Sequence, residues 1–147
     1  MDQNINIQLT LKRISEVNFF LDPKFDWDLF DEDKLKIGLG FEWLPNIRPN
    51  ILGFEIGVKY MMPNEDSLLL ELGILLDIYI NDINLFFDTN KKILSRDLAV
   101  NIINIGVGTL RGVLSTKVKG TFLENYPLPF ISSSKIEEII DNNTSND

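Results

Sequence analysis

No histidine and no cysteine occur among the 147 residues, so any chemistry must come from carboxylates, amines, hydroxyls and the backbone. Without His there is no Ser–His–Asp nucleophile and no imidazole-bound metal; without Cys there is no thiolate catalysis, disulfide, zinc ribbon or Cys-held iron–sulfur cluster. Carboxylates remain. Asp77, Asp82 and Asp88 follow the longest apolar run, and two such acids can cleave a glycosidic bond if they stand ~5–10 Å apart across a cleft. Asp77 and Asp82 differ in strand parity, so an extended chain turns them to opposite sides, which argues against a hydrolase. Six acids also crowd the twelve residues from Asp22 to Asp33. An EF-hand loop needs ligands at fixed steps, a central Gly and a closing Glu. Here Phe25, Trp27 and Phe30 interrupt the spacing and no Gly is present. The segment reads better as a solvated connection whose aromatic residues plug onto the core. Gly106-x-Gly108 opens like a dinucleotide fingerprint, but Arg111 stands where the third Gly belongs and no βαβ unit precedes it. No catalytic residue, metal site or cofactor is expected.

Charge narrows the partners. Fourteen Lys and Arg face 22 acids, for a net charge of −8 and a pI near 4.5. Nucleic-acid binding needs cations to neutralise phosphates, so that class is disfavoured. The balance is uneven, because residues 91–119 carry six basic residues and one acid while the rest is strongly acidic. Met1 to Asn6 has neither a basic nor an apolar signal region, and no run approaches ~18 consecutive apolar residues. A cytoplasmic protein without membrane insertion is the expectation.

The elements that position these residues follow from periodicity. Ile5, Ile7, Leu9 and Leu11 alternate with polar neighbours, as do Leu35, Ile37, Leu39, Phe41 and Trp43. Leu52, Phe54, Ile56, Val58 and Tyr60 form a third alternating run after the Pro45–Asn50 turn region. A fourth, after Pro63-Asn64-Glu65-Asp66, puts Leu68, Leu70, Leu72, Ile74, Leu76, Ile78 and Ile80 inward and leaves Leu69, Glu71, Gly73, Leu75 and Asp77 outward. Short turns favour an antiparallel meander covered on one face. From Ser95, a plausible N-cap, the period becomes helical. Leu98, Ile102, Ile105, Thr109 and Val113 make one stripe, with Ala99, Ile103, Gly106 and Leu110 beside it, ending near Lys119-Gly120. Gly106, Gly108 and Gly112 each cost a helix about 1 kcal/mol relative to Ala, which suggests that another element approaches closely. Thr121–Phe130, with Pro127 and Pro129, is an extended linker. A short helix follows, with Ser134 and Glu137 in capping-box spacing and Ile136, Ile139 and Ile140 as its stripe. The expected fold is α+β: a four-stranded antiparallel sheet, a long helix, an extended linker and a short C-terminal helix. One domain spans residues 1–140, with 141–147 as a polar disordered tail.

Several stretches resemble the SecB family of protein-export chaperones. Lys119-Gly120-Thr121-Phe122…Leu128-Pro129 is similar to the family's Arg-Gly-Thr-Phe…Leu-x-Pro stretch between its helices. Ile7-x-Leu9-x-Leu11-Lys12-Arg13-Ile14, followed by Val17-x-Phe19, resembles its opening strand, and Leu68-Leu69-Leu70-Glu71-Leu72 resembles its Phe-Leu-x-Glu-Val. The resemblance covers about residues 5–140.

It implies a cytoplasmic homotetramer, a dimer of dimers, that holds unfolded precursor polypeptides in an export-competent state, delivers them to the SecA motor and uses no cofactor. The partner-docking face it implies comprises Glu16, Leu69 and Glu71, and the outward Leu75 on the same strand face extends it, although a bare subunit interface would explain the two leucines equally well; the position of a second early acid holds Phe20, unless Asp22 serves. Tyr126, Leu128, Phe130, Ile131, Ile136 and Ile140 are the client-groove residues, although the same linker residues could instead plug a gap between helix and sheet. Gly106, Leu110 and Gly112 are the oligomer-interface residues. Two alternatives keep the fold: a SecB-like adaptor or chaperone dedicated to one partner, such as an antitoxin or mobile-element protein, and a structural assembly subunit without client binding.

Overall fold

The computed structural model describes residues 8–65, 67–88 and 93–144. Four long strands form one antiparallel sheet: β1 (Leu9–Leu21), β2 (Lys36–Arg48), β3 (Ile51–Met62) and β4 (Ser67–Ile80). Ile5 and Ile7, expected in the opening strand, lie outside the described residues. The order across the sheet is β1-β4-β3-β2. Thus β2, β3 and β4 make the expected meander, whereas β1 lies beside β4 and not beside β2, a Greek-key arrangement. The chain from Asp22 to Leu35 makes this crossover. Its acids shape the backbone, since Asp22, Asp26 and Asp31 each accept a backbone N–H two residues on, from Lys24, Asp28 and Asp33. The latter two of these Asx turns open 3-10 turns, Trp27–Leu29 and Glu32–Lys34. Asn50 takes a left-handed φ of 61° in the two-residue turn between β2 and β3, a conformation its short polar side chain tolerates.

After β4 come a 3-10 turn (Ile83–Leu85), a two-residue pair of strands, β5 (Phe87–Asp88) and β6 (Ile93–Leu94), and the long helix α1 (Arg96–Lys117). Gly120, at φ 81°, ends the helical region in the left-handed conformation that glycine tolerates. A 3-10 turn (Phe122–Asn125), the linker and α2 (Ser133–Thr144) complete the chain. The core lies between α1 and the middle of the sheet. Leu52, Phe54, Ile56, Val58 and Tyr60 of β3 and Leu70 to Ile80 at alternate positions of β4 are buried there.

Four expectations shift. The buried face of α1 is Leu98, Ala99, Ile102, Ile103, Gly106, Val107, Leu110 and Leu114, so the stripe is rotated and Ile105 is exposed. Gly106 and Leu110 therefore belong to the core and not to an oligomer interface: a Cβ on Gly106 would collide with the Phe54 ring. The cap of α2 is Ser132, whose Oγ accepts the Lys135 N–H at 3.2 Å, two residues before the expected capping box. Finally, α2 runs on to Thr144, into the expected tail. Arg96 anchors it there, 3.0 Å from Asp141.

Candidate functional site

The crossover, the 3-10 turn after α1 and the linker meet along one aromatic row. Trp27 sits between Phe25 and Phe30, with ring centroids 5.1 and 5.8 Å away. Across the gap, Phe122 lies 4.7 Å from Trp27 and 4.9 Å from Phe30. Tyr126 closes the row, 5.1 Å from Phe30. Such tilted and edge-on ring pairs add stability beyond their buried area, about 0.5–1.5 kcal/mol each. Phe25, Trp27, Phe30 and Tyr126 are partly buried against the core, whereas Phe122 and Leu29 remain exposed. The result is a wettable apolar wall built from two chain segments.

Side-chain donors hold the linker in place. The Tyr60 hydroxyl donates to the Tyr126 carbonyl at 2.6 Å. Burial pushes the Tyr60 hydroxyl up to a pKa of about 12, so it stays a proton donor across the physiological range. Arg111 donates from Nε to the Leu128 carbonyl and from a terminal nitrogen to the Pro129 carbonyl, both at 3.0 Å. Its guanidinium also lies 4.7 Å from the Phe130 ring centroid. A Pro-rich segment has few N–H groups and no ladder partner, so these carbonyls need side-chain donors.

The six residues expected in a client groove divide accordingly. Leu128 and Ile136 are buried and serve as plugs, so they cannot line an open groove. Tyr126, Ile131 and Ile140 are half-buried against the core, and Phe130 stands 93% exposed. Phe122 belongs to the wall although it is absent from the expected set. Its signal in the sequence is weak, because only the crossover aromatics packed against it give it a role.

The expected docking set does not come together. Leu69 is only 1% exposed. Between Tyr60↔Leu70 and Met61↔Leu68 the ladder skips it, so Leu69 bulges and joins Leu70 on the core side. Leu68 is displaced from the inward position that simple alternation assigns to it. Glu16 pairs with core-facing Ile74 across from β1, on the helix side of the sheet, where Lys117 Nζ reaches it at 2.6 Å. Only Glu71 and Leu75 share the outer face. There Glu71 lies 3.7 Å from Lys59, and Leu75 is half-buried.

Next to that pair Gly40, Gly57 and Gly73 stand in register across β2, β3 and β4. They floor a shallow cavity of about 450 Å³ walled by Glu42, Glu55, Lys59 and Glu71. Glu42 and Glu55 are directly opposed like charges, an unfavourable pair in a bare sheet. Of the expected oligomer residues, only Gly112 faces open space, as does neighbouring Gly108, near exposed Ile105. Strand β1, at the sheet edge, exposes Leu11, Ile14, Val17, Phe19 and Phe20. Among the described residues no group of three or more acids could hold a metal. Asp77 and Asp82 lie apart, one within β4 and one in the turn beyond it, and the Asp88 side chain lies outside the described part. In comparison with known proteins, the chain matches no family model, and no curated protein is significantly similar to it.

Proposed function

We propose that this protein is a non-enzymatic holding chaperone of SecB type, acting as a cytoplasmic homotetramer on extended, unfolded polypeptide. The observation that carries the reading is the aromatic wall in which half-buried Trp27, Phe30 and Tyr126 pack against exposed Phe122, where crossover meets linker. Held by Tyr60 and Arg111, it offers apolar surface at about 25 cal/mol per Å² to any client segment that covers it. The acidic surface adds long-range attraction for basic clients. Assembly would use two features that a lone subunit leaves open: the apolar edge of β1 and the outer stripe of α1 at Ile105, Gly108 and Gly112.

Capture of a permanently unfolded polypeptide, with its folded form as control and light scattering for mass, tests the reading. The expected result is micromolar capture of the unfolded form alone, by a tetramer, with at least tenfold loss in Trp27→Ala/Phe122→Ala. No capture at high concentration would reject it. An Ile14→Lys/Val17→Lys variant should fold and shed subunits. An unchanged mass would remove the β1 edge from the assembly.

A second reading, a SecB-like adaptor dedicated to one partner, draws support from the outer face. Leu69 is withdrawn into the core and Glu16 points the other way, so a SecA-docking face would retain only Glu71 and Leu75. Glu71→Lys separates the two, since a SecA-binding chaperone loses motor binding while keeping client capture.

A further inference from the structure

The outer face carries a second concavity, of about 360 Å³, at the opposite end from the aromatic wall's linker, lined by Lys12, Arg13, Arg48, Pro49, Ile51 and Asp77. Its making is legible in the ladder. Arg13 of β1, Asp77 of β4 and Gly53 of β3 stand in one row across the sheet, and Arg48 pairs with Ile51 at the adjoining hairpin. Gly53 is buried and adds no side chain to this row, and the hollow is bounded by Lys12, Arg13, Arg48 and Asp77. Lys12 reaches in over the Tyr79 ring, 5.7 Å from its centroid.

The charges of this hollow are unmet. Neither arginine has an ion pair within the described chain, even though Arg13 stands directly across from Asp77. One carboxylate oxygen of Asp77 is buried and no donor of the described residues reaches it, a costly arrangement for a charged acceptor. Three cations and one carboxylate leave two positive charges on a protein whose net charge is −8. A ligand that satisfies both halves brings about two negative charges and, beside them, a hydrogen-bond donor for Asp77.

From this we infer that the hollow binds a phosphate monoester of a sugar. The dianionic phosphoryl group lies among Lys12, Arg13 and Arg48, where guanidinium forks suit its oxygens. A neighbouring sugar hydroxyl donates to Asp77. Glu42 and Glu55, opposed on the same face, repel polyphosphate chains and nucleic acid that extend toward them, which favours a compact ligand. The site is independent of the aromatic wall, so it stands whether or not the protein captures unfolded chains.

Titration calorimetry of the full chain at low salt, with ribose 5-phosphate, inorganic phosphate and ribose as probes, tests this. The expected order is ribose 5-phosphate tighter than inorganic phosphate, with ribose inert, and affinity falling as salt rises. Arg48→Glu, an exposed hairpin position, should weaken both anions at least tenfold while the far-ultraviolet circular dichroism stays unchanged. Asp77→Asn should tighten inorganic phosphate, because a negative charge leaves the site, and abolish the preference for the sugar phosphate. No saturable binding at millimolar anion, or binding indifferent to Arg48→Glu, overturns the proposal. A sugar-phosphate preference that survives Asp77→Asn overturns the role given to Asp77.

Discussion

Strands β1 and β4 are neighbours in one ladder and both carry apolar side chains toward the helix side of the sheet, yet their fates differ. On β4, Leu72, Ile74 and Leu76 are sealed, none more than 1% exposed. On β1, their partners and near partners Phe19, Glu16 and Ile14 stand open or half-open. The sequence patterns do not account for this. What differs is the layer above: α1 packs on β3 and β4, and toward β1 its Lys117 reaches Glu16 and lies 4.9 Å from the Phe19 ring centroid. Apolar alternation specifies which way a side chain points, but burial depends on what is laid over it. The centre of the sheet therefore supplies most of the stability of the molecule, while the β1 margin keeps apolar side chains exposed.

The largest effect expected from this contrast comes from one substitution made on each strand. Ile74→Ala should cost about 2–5 kcal/mol, the range for emptying a sealed core position. Ile14→Ala, on the neighbouring strand and the same side, should cost less than about 1 kcal/mol. Urea unfolding of both variants at a concentration where the protein is monomeric makes the comparison. Equal losses would mean that β1 is covered within one subunit, and the margin would no longer be free.

A smaller effect tests whether the linker belongs to the sealed side. Tyr60→Phe removes the donor to the Tyr126 carbonyl and should cost about 1–3 kcal/mol near neutral pH, since a partly buried acceptor is left unmatched. The pH dependence has a definite sign. The folded hydroxyl titrates near 12 and the unfolded one near 10, so its contribution is complete below pH 10 and fades as pH rises toward 12. That loss amounts to roughly 2–3 kcal/mol for two units. Tyr60→Phe should flatten this alkaline decline, followed by chemical unfolding between pH 9 and 12. A decline equally steep in the variant would assign it to other groups.

Much of this division is legible in residue order alone. The alternation of β2 and β3, the inward set of β4 from Leu70 onward, the helix start at Ser95 and the stop at Gly120 all follow from local patterns. The position of β1 does not, because the choice between pairing with β2 and pairing with β4 is made by distant packing. Nor do the bulges. A single extra residue at Leu69 reverses parity for the start of β4, and irregularities near Lys12 and Val17 do the same for β1, placing Glu16 on the side opposite Glu71. An isolated strand gives no sign of these, since a bulge is defined only against its partner. The crossover acids are half legible: spacings such as Asp26-Trp27-Asp28 are Asx-turn spacings, and Asp22, Asp26 and Asp31 serve local capping.

The smallest effect concerns two glycines on α1 that look alike in sequence and sit on opposite sides of the same contrast. Gly106 faces the sheet, and a Cβ there would drive into the Phe54 ring, so Gly106→Ala should destabilise despite the better helix propensity of Ala. Gly112 has nothing within 4 Å of the Cβ position. Gly112→Ala should therefore stabilise the monomer, by up to about 1 kcal/mol, because an exposed helical glycine only adds flexibility to the unfolded chain. The sign of the second change is informative in the assembled protein. If another copy packs against the Ile105–Gly112 stripe, a methyl group there removes close approach, and the thermal midpoint should fall at assembling concentrations while rising under dilution. A midpoint that rises at every concentration would leave that face of α1 to solvent and remove it from the proposed assembly.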